Sequence, residues 1–195
     1  MKKIWLVRHA QSQAQTKEDI GNLEPGLSTL GKEQAKRLVK PLKDIEFDCI
    51  LISPLKRAWQ TYELARVRSD IARFDGRLVE GGWEGEGWVP PGGIVSPPDI
   101  AKPDRHSEAW LKSGEERSKE LLSDLLEKPE NNILLFGHIW TFANFFRVFA
   151  NVNTADQPIF ASMDNTGISL LTIGGTLVPT ISYWNDRAHV IDLLE

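Results

Sequence analysis

Cysteine is almost missing. Cys49 is the only one in 195 residues, so no disulfide can form within the chain. It lies in the apolar run CILI and reads as a small buried hydrophobe. Histidine is scarce too, and no Cys/His group has the spacing of a zinc site. After Lys2 and Lys3 only Ile4 to Val7 are apolar before Arg8, too few for a signal peptide or a spanning helix. Positive charge is not in excess either. The net charge of −4 argues against nucleic acid or an acidic membrane as partner, while leaving room for a local cationic pocket. No repeat, low-complexity tract or dividing linker is present. What remains is an ordinary globular composition, 41% hydrophobic and 26% charged, long enough for one domain over residues 1–195 with a full core. The expectation is a cytoplasmic enzyme-sized domain without membrane or nucleic-acid partners.

Three short apolar runs read as strands buried on both faces: Ile4 to Val7, about Asp48 to Ile52, and Asn132 to Phe136. Over so few residues a buried helical turn would look similar. Between them, Thr29 reads as the N-cap of a helix carrying Leu30, Gln34–Ala35, Leu38 and Leu42, with Gly31 weakening its first turn and Pro41 ending or kinking it. Ser53 reads as the cap of the next helix, with Pro54 first and Leu55, Ala58, Trp59 and Tyr62 on one face. ARFDGRLVE is a weaker extended piece ending at Glu80. Ser113 with Glu116 makes a capping box before Leu121, Leu122, Leu125 and Leu126. Thr141 to Ala150 reads as an aromatic-rich helix. GISLLTI and LVPTISYWN form a terminal strand pair around Gly174–Gly175. Strand and helix alternate, which predicts right-handed crossovers and a mainly parallel sheet. From Gly81 to Ser107, six glycines and five prolines in 27 residues form a lid-like insertion without periodic pattern.

The strand ends carry the chemistry. The first ends in Arg8–His9, the second leads through SPLKR to Arg57, and the third ends in Gly137–His138. In a parallel sheet these ends share one edge, where ligands of α/β proteins bind. Two guanidiniums and two imidazoles suit a phosphoryl group. The forks bind its oxygens bidentately, one imidazole can act as nucleophile, and the other can donate to the transferring group.

LVRHAQS, GLSTLGKEQA, SPLKRAWQT, the LVE before WEG, FGH and WNDRAH together resemble the histidine phosphatase superfamily, the phosphoglycerate mutase-like group. The matches run in the family's order from residue 4 to about 190. The resemblance implies a three-layer α/β sandwich. It implies His9 as the nucleophile that becomes phosphohistidine, and a phosphate pocket of Arg8, Arg57 and His138. It points to Glu80, in the LxE position, as general acid and base, with Glu84 and Glu86 as the alternatives because the segment before the tryptophan is compressed. No metal or other cofactor is implied, since the arginines supply the positive charge. Two nearby cations should keep His9 neutral.

The departures are specific. Ala10 stands where the family usually has Gly, Ile139 follows the second histidine where Gly is common, and Gln15 replaces an Asn with the same amide, a candidate phosphate contact. Asn165 with Thr166 serves either the pocket or a turn. His106 and His189 read as structural or exposed. Trp83, Trp88, Trp110 and Trp140 fall near the expected mouth. They either cover the loop from beneath or line a pocket for an apolar or aromatic leaving group.

The implied activity is hydrolysis of a small phosphomonoester, or of a phosphohistidine on a protein. The alternatives are a phosphoglycerate-type mutase, which must hold two phosphates and exclude water, and a non-catalytic oxyanion-binding module on the same fold. Substrate identity, oligomeric state and order in the lid are not legible at this level.

Overall fold

The computed structural model describes residues 1–16, 25–68, 70–80, 113–152, 160–174 and 178–193. The Gly81–Ser107 insertion, with Trp83, Glu84, Glu86, Trp88 and His106, lies outside the described residues, as does Trp110.

The three apolar runs form β1 (Lys2–Arg8), β2 (Cys49–Ile52) and β4 (Asn132–Gly137). ARFDGRLVE contributes only the short β3 (Ala72–Phe74) and then a 3-10 turn, Gly76–Leu78, that Asp75 caps through the Arg77 N–H. The terminal pair is β5 (Ile168–Ile173) and β6 (Pro179–Asp186), antiparallel as expected. These strands build one sheet in the order β3-β2-β4-β1-β5-β6. The first four run parallel, β5 runs against them, and β6, antiparallel to β5, runs their way again.

Alternation along each central strand sends side chains to two cores. Ile4, Leu6, Leu51, Ile133 and Leu135 face α4 (Gly114–Glu127) and α5 (Ile139–Phe149). Val7, Ile50, Ile52, Leu134 and Phe136 face Leu38, α2 (Val39–Leu42) and α3 (Lys56–Ala65), with α1 (Thr29–Arg37) packed on α3. Each wholly buried Leu or Phe contributes roughly 2–3 kcal/mol of transfer free energy. Cys49 is one of these core residues, 2% exposed, and free.

Three local details differ from the sequence expectations. Ser28, not Thr29, caps α1, its Oγ accepting the Gly31 N–H at 3.0 Å. The kink expected from Pro41 is present: the helix breaks at Leu38 and resumes as α2, because a proline removes the N–H that would bond one turn back. Ser53 does not cap α3, which starts at Lys56 behind an extended Leu55; its hydroxyl is committed elsewhere. Further on, α5 begins at Ile139 rather than Thr141, so His138 is its N-cap. The Ser113–Glu116 capping box is present at the start of α4.

Chain order positions the site. After β1 the chain crosses over β4 to reach β2, and after β4 it crosses over β1 to reach β5. Connections from neighbouring strands thus leave in opposite directions between β1 and β4, which opens a crevice beyond their carboxyl ends. Register aligns those ends: Arg8 pairs with Gly137, and Ile52 with Phe136. The residues one step further, His9, His138 and Ser53, meet in that crevice. Among the described residues no helix is long and apolar enough to cross a membrane.

Candidate active site

His9 follows β1 directly and is 3% exposed. Its Nδ1 lies 2.7 Å from the Ala10 carbonyl oxygen. A carbonyl only accepts, so Nδ1 carries the proton and Nε2 keeps its lone pair. Arg57 Nε donates toward that Nε2 at 3.4 Å. Burial first, then the charges of Arg57 and Arg8, hold the His9 pKa well below the ordinary value of 6.5. His9 is the neutral imidazole the sequence led one to expect, with desolvation ahead of the arginines as the cause.

Arg57 sits in the first turn of α3, and Thr61 one turn later explains the spacing of SPLKRAWQT. The Thr61 hydroxyl donates to the Arg57 carbonyl at 2.7 Å and accepts the Ala10 N–H at 3.0 Å. Together they moor the helix that carries Arg57 to the segment that carries His9. The Ala10 methyl turns into a small core with Leu27 and Ala35. It packs away from the histidine ring and is fully buried.

His138 is fully buried, its ring centroid 5.0 Å from that of His9. Burial, Arg57 and His9 keep its pKa well below 6.5. Its Nε2 is 2.7 Å from Ser53 Oγ, and that oxygen also accepts the Leu55 N–H at 3.4 Å. A serine proton directed to Nε2 leaves Nδ1–H as donor. That Nδ1 has no hydrogen-bond partner and lies 3.4 Å from Glu80 Oε2. Ser53, read from sequence as a helix cap, is thus the hydrogen-bond partner of the second histidine. Nothing in the local pattern distinguishes that role from capping.

Glu80 closes the ring. Its Oε1 accepts the Trp140 N–H at 3.0 Å at the start of α5, and Oε2 lies 3.5 Å from Arg57 Nη2. Burial raises the carboxyl pKa above 4.5, against the pull of Arg57, the Trp140 N–H and Arg8. A fifth of the side chain (22%) remains exposed, so the carboxyl borders solvent or a ligand. Arg8 is held by the Met163 carbonyl at 2.5 Å, and its buried Nε is unpartnered.

The remaining predicted residues divide by place. Asn165 Nδ2 donates to the His9 carbonyl at 2.9 Å, and the Gln15 amide bonds Asn165 Oδ1 at 3.0 Å. Asn165 therefore serves the pocket by fixing the His9 backbone. Gln15 stands at the exposed rim. The Trp140 ring packs against half-exposed Phe160, centroids 4.5 Å apart and the planes tilted by 54°. His189 lies in the last 3-10 segment (Ala188–Leu193), which packs on α1 away from this cluster.

Donor atoms of His9, Glu80 and His138 lie within 4.8 Å of one another, close enough to share a cation. The set does not suit a divalent metal. Arg57 already directs its guanidinium at both His9 Nε2 and Glu80 Oε2, so the positive charge such a cluster attracts is covalently present. Two guanidiniums, a lone pair and an N–H donor around one crevice instead match an anion with a reactive centre.

Comparison with known proteins agrees with this geometry. The sequence profile of the histidine phosphatase superfamily (branch 1) matches residues 4–187. A Hydrogenobacter thermophilus protein named as a candidate phosphoserine phosphatase is 28% identical over 209 residues, spanning 99% of this chain and all of that one. The phosphoserine phosphatase 1 of the same organism is 39% identical over 90 residues, 44% of this chain and 43% of that one. A mycobacterial glucosyl-3-phosphoglycerate phosphatase solved with VO3 superposes with a TM-score of 0.69 at 20% identity, over 96% of this chain and all of that one. With the match covering nearly the whole chain and the strand order built around the same ends, this protein belongs to the histidine phosphatase superfamily.

Proposed function

We propose that this protein is a metal-independent phosphatase that hydrolyses a small phosphomonoester through a covalent phosphohistidine on His9. One observation carries the reading: the Nδ1 of His9 is occupied by its neighbour's carbonyl, so the unprotonated Nε2 is turned to Arg57, beside Glu80 and His138. Arg8, Arg57 and the His138 Nδ1–H hold the phosphoryl oxygens and stabilise the charge they gain in the transition state. The His9 lone pair forms the N–P bond as the ester P–O bond breaks. Glu80, whose pKa burial raises, is the group placed to give a proton to the leaving oxygen. The resulting carboxylate then takes a proton from water, whose oxygen displaces His9 from phosphorus and releases inorganic phosphate. Gln15 steadies the pocket through Asn165.

The Trp140–Phe160 pair adjoins the residue that serves the leaving group, which supports an ester with an apolar face. The names of the Hydrogenobacter relatives support phosphoserine. A panel of aryl, lipid-like, phosphoserine and glyceric phosphates ranks the two. Equal or better turnover of the glyceric and phosphoserine esters removes the aromatic wall from the specificity account.

For the reaction itself, His9→Ala should lower kcat at least about 10³-fold while phosphate or vanadate still binds. Rapid acid-free quenching of the native protein should trap a phosphoryl group on His9. Chelation with EDTA should leave the rate unchanged. Full activity of His9→Ala overturns the mechanism. Retained oxyanion binding without turnover on any ester assigns the protein to non-catalytic binding, and transfer of phosphate between acceptors without release makes it a mutase.

A further inference from the structure

Arg117 belongs to α4, 60 residues beyond Arg57 in the chain, and is 3% exposed. Its Nη1 donates to the Val79 carbonyl at 2.8 Å, one residue before Glu80, and its Nε is buried without a partner. Among the described residues, the carboxylate whose charge it senses is that of Glu80. Arg77, equally buried, is matched by Asp75 and Asp124 at 2.6 and 2.8 Å. A buried guanidinium without an ion pair is costly, and a Met or Leu would fill the same space without desolvating a charge.

The Val79 carbonyl it grips is gripped twice. Thr141 Oγ1, from α5, donates to the same oxygen at 3.0 Å. The peptide leading into Glu80 is thus fixed from α4 and α5 together, while the Trp140 N–H fixes the carboxyl beyond it. Proton transfer to a leaving oxygen fails over displacements of about 1 Å, so the anchoring of this segment decides whether the carboxyl is in range.

We infer that Arg117 is a positioning residue for leaving-group protonation, holding the Val79–Glu80 segment so that the carboxyl faces the phosphate pocket. The inference rests on the proposed role of Glu80 as general acid, and the experiment separates the two. Leaving-group dependence is the readout: an alkyl phosphate needs a proton on its departing oxygen, whereas 4-nitrophenyl phosphate departs without one. Comparison of kcat/KM, which reports the steps through phosphoryl transfer, removes any contribution from the hydrolysis of phosphohistidine. Glu80→Gln, Arg117→Met and Arg117→Lys are compared on both esters with phosphoserine alongside.

Glu80→Gln should lose far more on the alkyl ester than on the aryl one. Arg117→Met should follow with a loss about tenfold larger on the alkyl ester, at unchanged KM. Arg117→Lys, which keeps a cation but lacks the fork, should lie between Met and native. If Arg117→Met does not fold, the Lys variant carries the comparison alone. An equal loss on both esters from the Arg117 variants, with Glu80→Gln still leaving-group dependent, overturns the positioning role and leaves the acid assignment intact. A uniform loss from Glu80→Gln itself overturns both. A change confined to KM for esters with a carboxylate in the leaving group makes Arg117 a substrate ligand and overturns the inference as stated.

Discussion

Neutral His138 has two tautomers, and a Ser53 proton donated to Nε2 favours the one whose Nδ1 proton can meet a phosphoryl oxygen. Ser53→Ala removes the proton that Nε2 accepts, so the ring can protonate there and present a lone pair to the anion instead. The expected loss in kcat is about tenfold, the worth of one hydrogen bond of about 1.4 kcal/mol. The tautomer itself is read from the ¹⁵N shifts of the His138 ring. Unaltered shifts in an inactive variant would mean that Ser53 acts on packing alone. Glu80 gives a second residue-scale outcome. Burial raises its pKa, so alkyl-ester kcat/KM should fall as pH rises through that pKa. 4-Nitrophenyl phosphate should not show this limb, and Glu80→Gln should erase it from the alkyl profile.

At the scale of elements, close approaches rather than propensities place the helices. Gly31, which lowers helix propensity in α1, sits where a Cβ would come within 1.9 Å of the Gln11 backbone oxygen. Its bare Cα lets the start of α1 press on the loop behind His9, where Gln34 also accepts the Gln11 N–H. Gly31→Ala must displace backbone, so it should cost about 2–3 kcal/mol in urea unfolding and lower activity with it. A change within about 0.5 kcal/mol, the usual range of a harmless surface substitution, would show that the contact is dispensable. Gly137 plays the same part for α5: a Cβ there would meet the Phe142 ring at 2.9 Å, beside the backbone that presents His138.

On the scale of the whole molecule, the two neutral histidines couple folding to pH. Their folded pKa values lie below the unfolded value of about 6.5, so the stability they confer is complete above that pH. It is lost as pH falls toward the folded values, because unfolding releases imidazoles that take up protons. The slope is at most about 2.7 kcal/mol per pH unit for both rings together. Glu80 acts in the opposite sense. Its raised pKa adds stability below its ordinary value that disappears as pH rises through the folded one. Urea midpoints at pH 7.5, 6.5 and 5.5 should therefore fall toward acid, and replacing His138 by Gln should flatten the descent. An unchanged slope in that variant would remove His138 from the linkage.

The amino-acid order alone determined the three central strands, their polar ends, and through the resemblance the membership of His9, Arg8, Arg57 and His138 in one family pattern. Buried apolar runs and helix periodicity are local properties, readable within a dozen residues. Only the tertiary structure decided that β4, more than 120 residues after β1, lies between β1 and β2 and aligns Gly137 with Arg8. It likewise turned Ser53 from a helix cap into the partner of His138, aimed the Ala10 methyl at a core, and brought Arg117 behind Glu80. Register between distant strands and the choice among several acceptors for one hydroxyl are settled by which groups are buried together. That is a property of the packed chain and not of any segment of it.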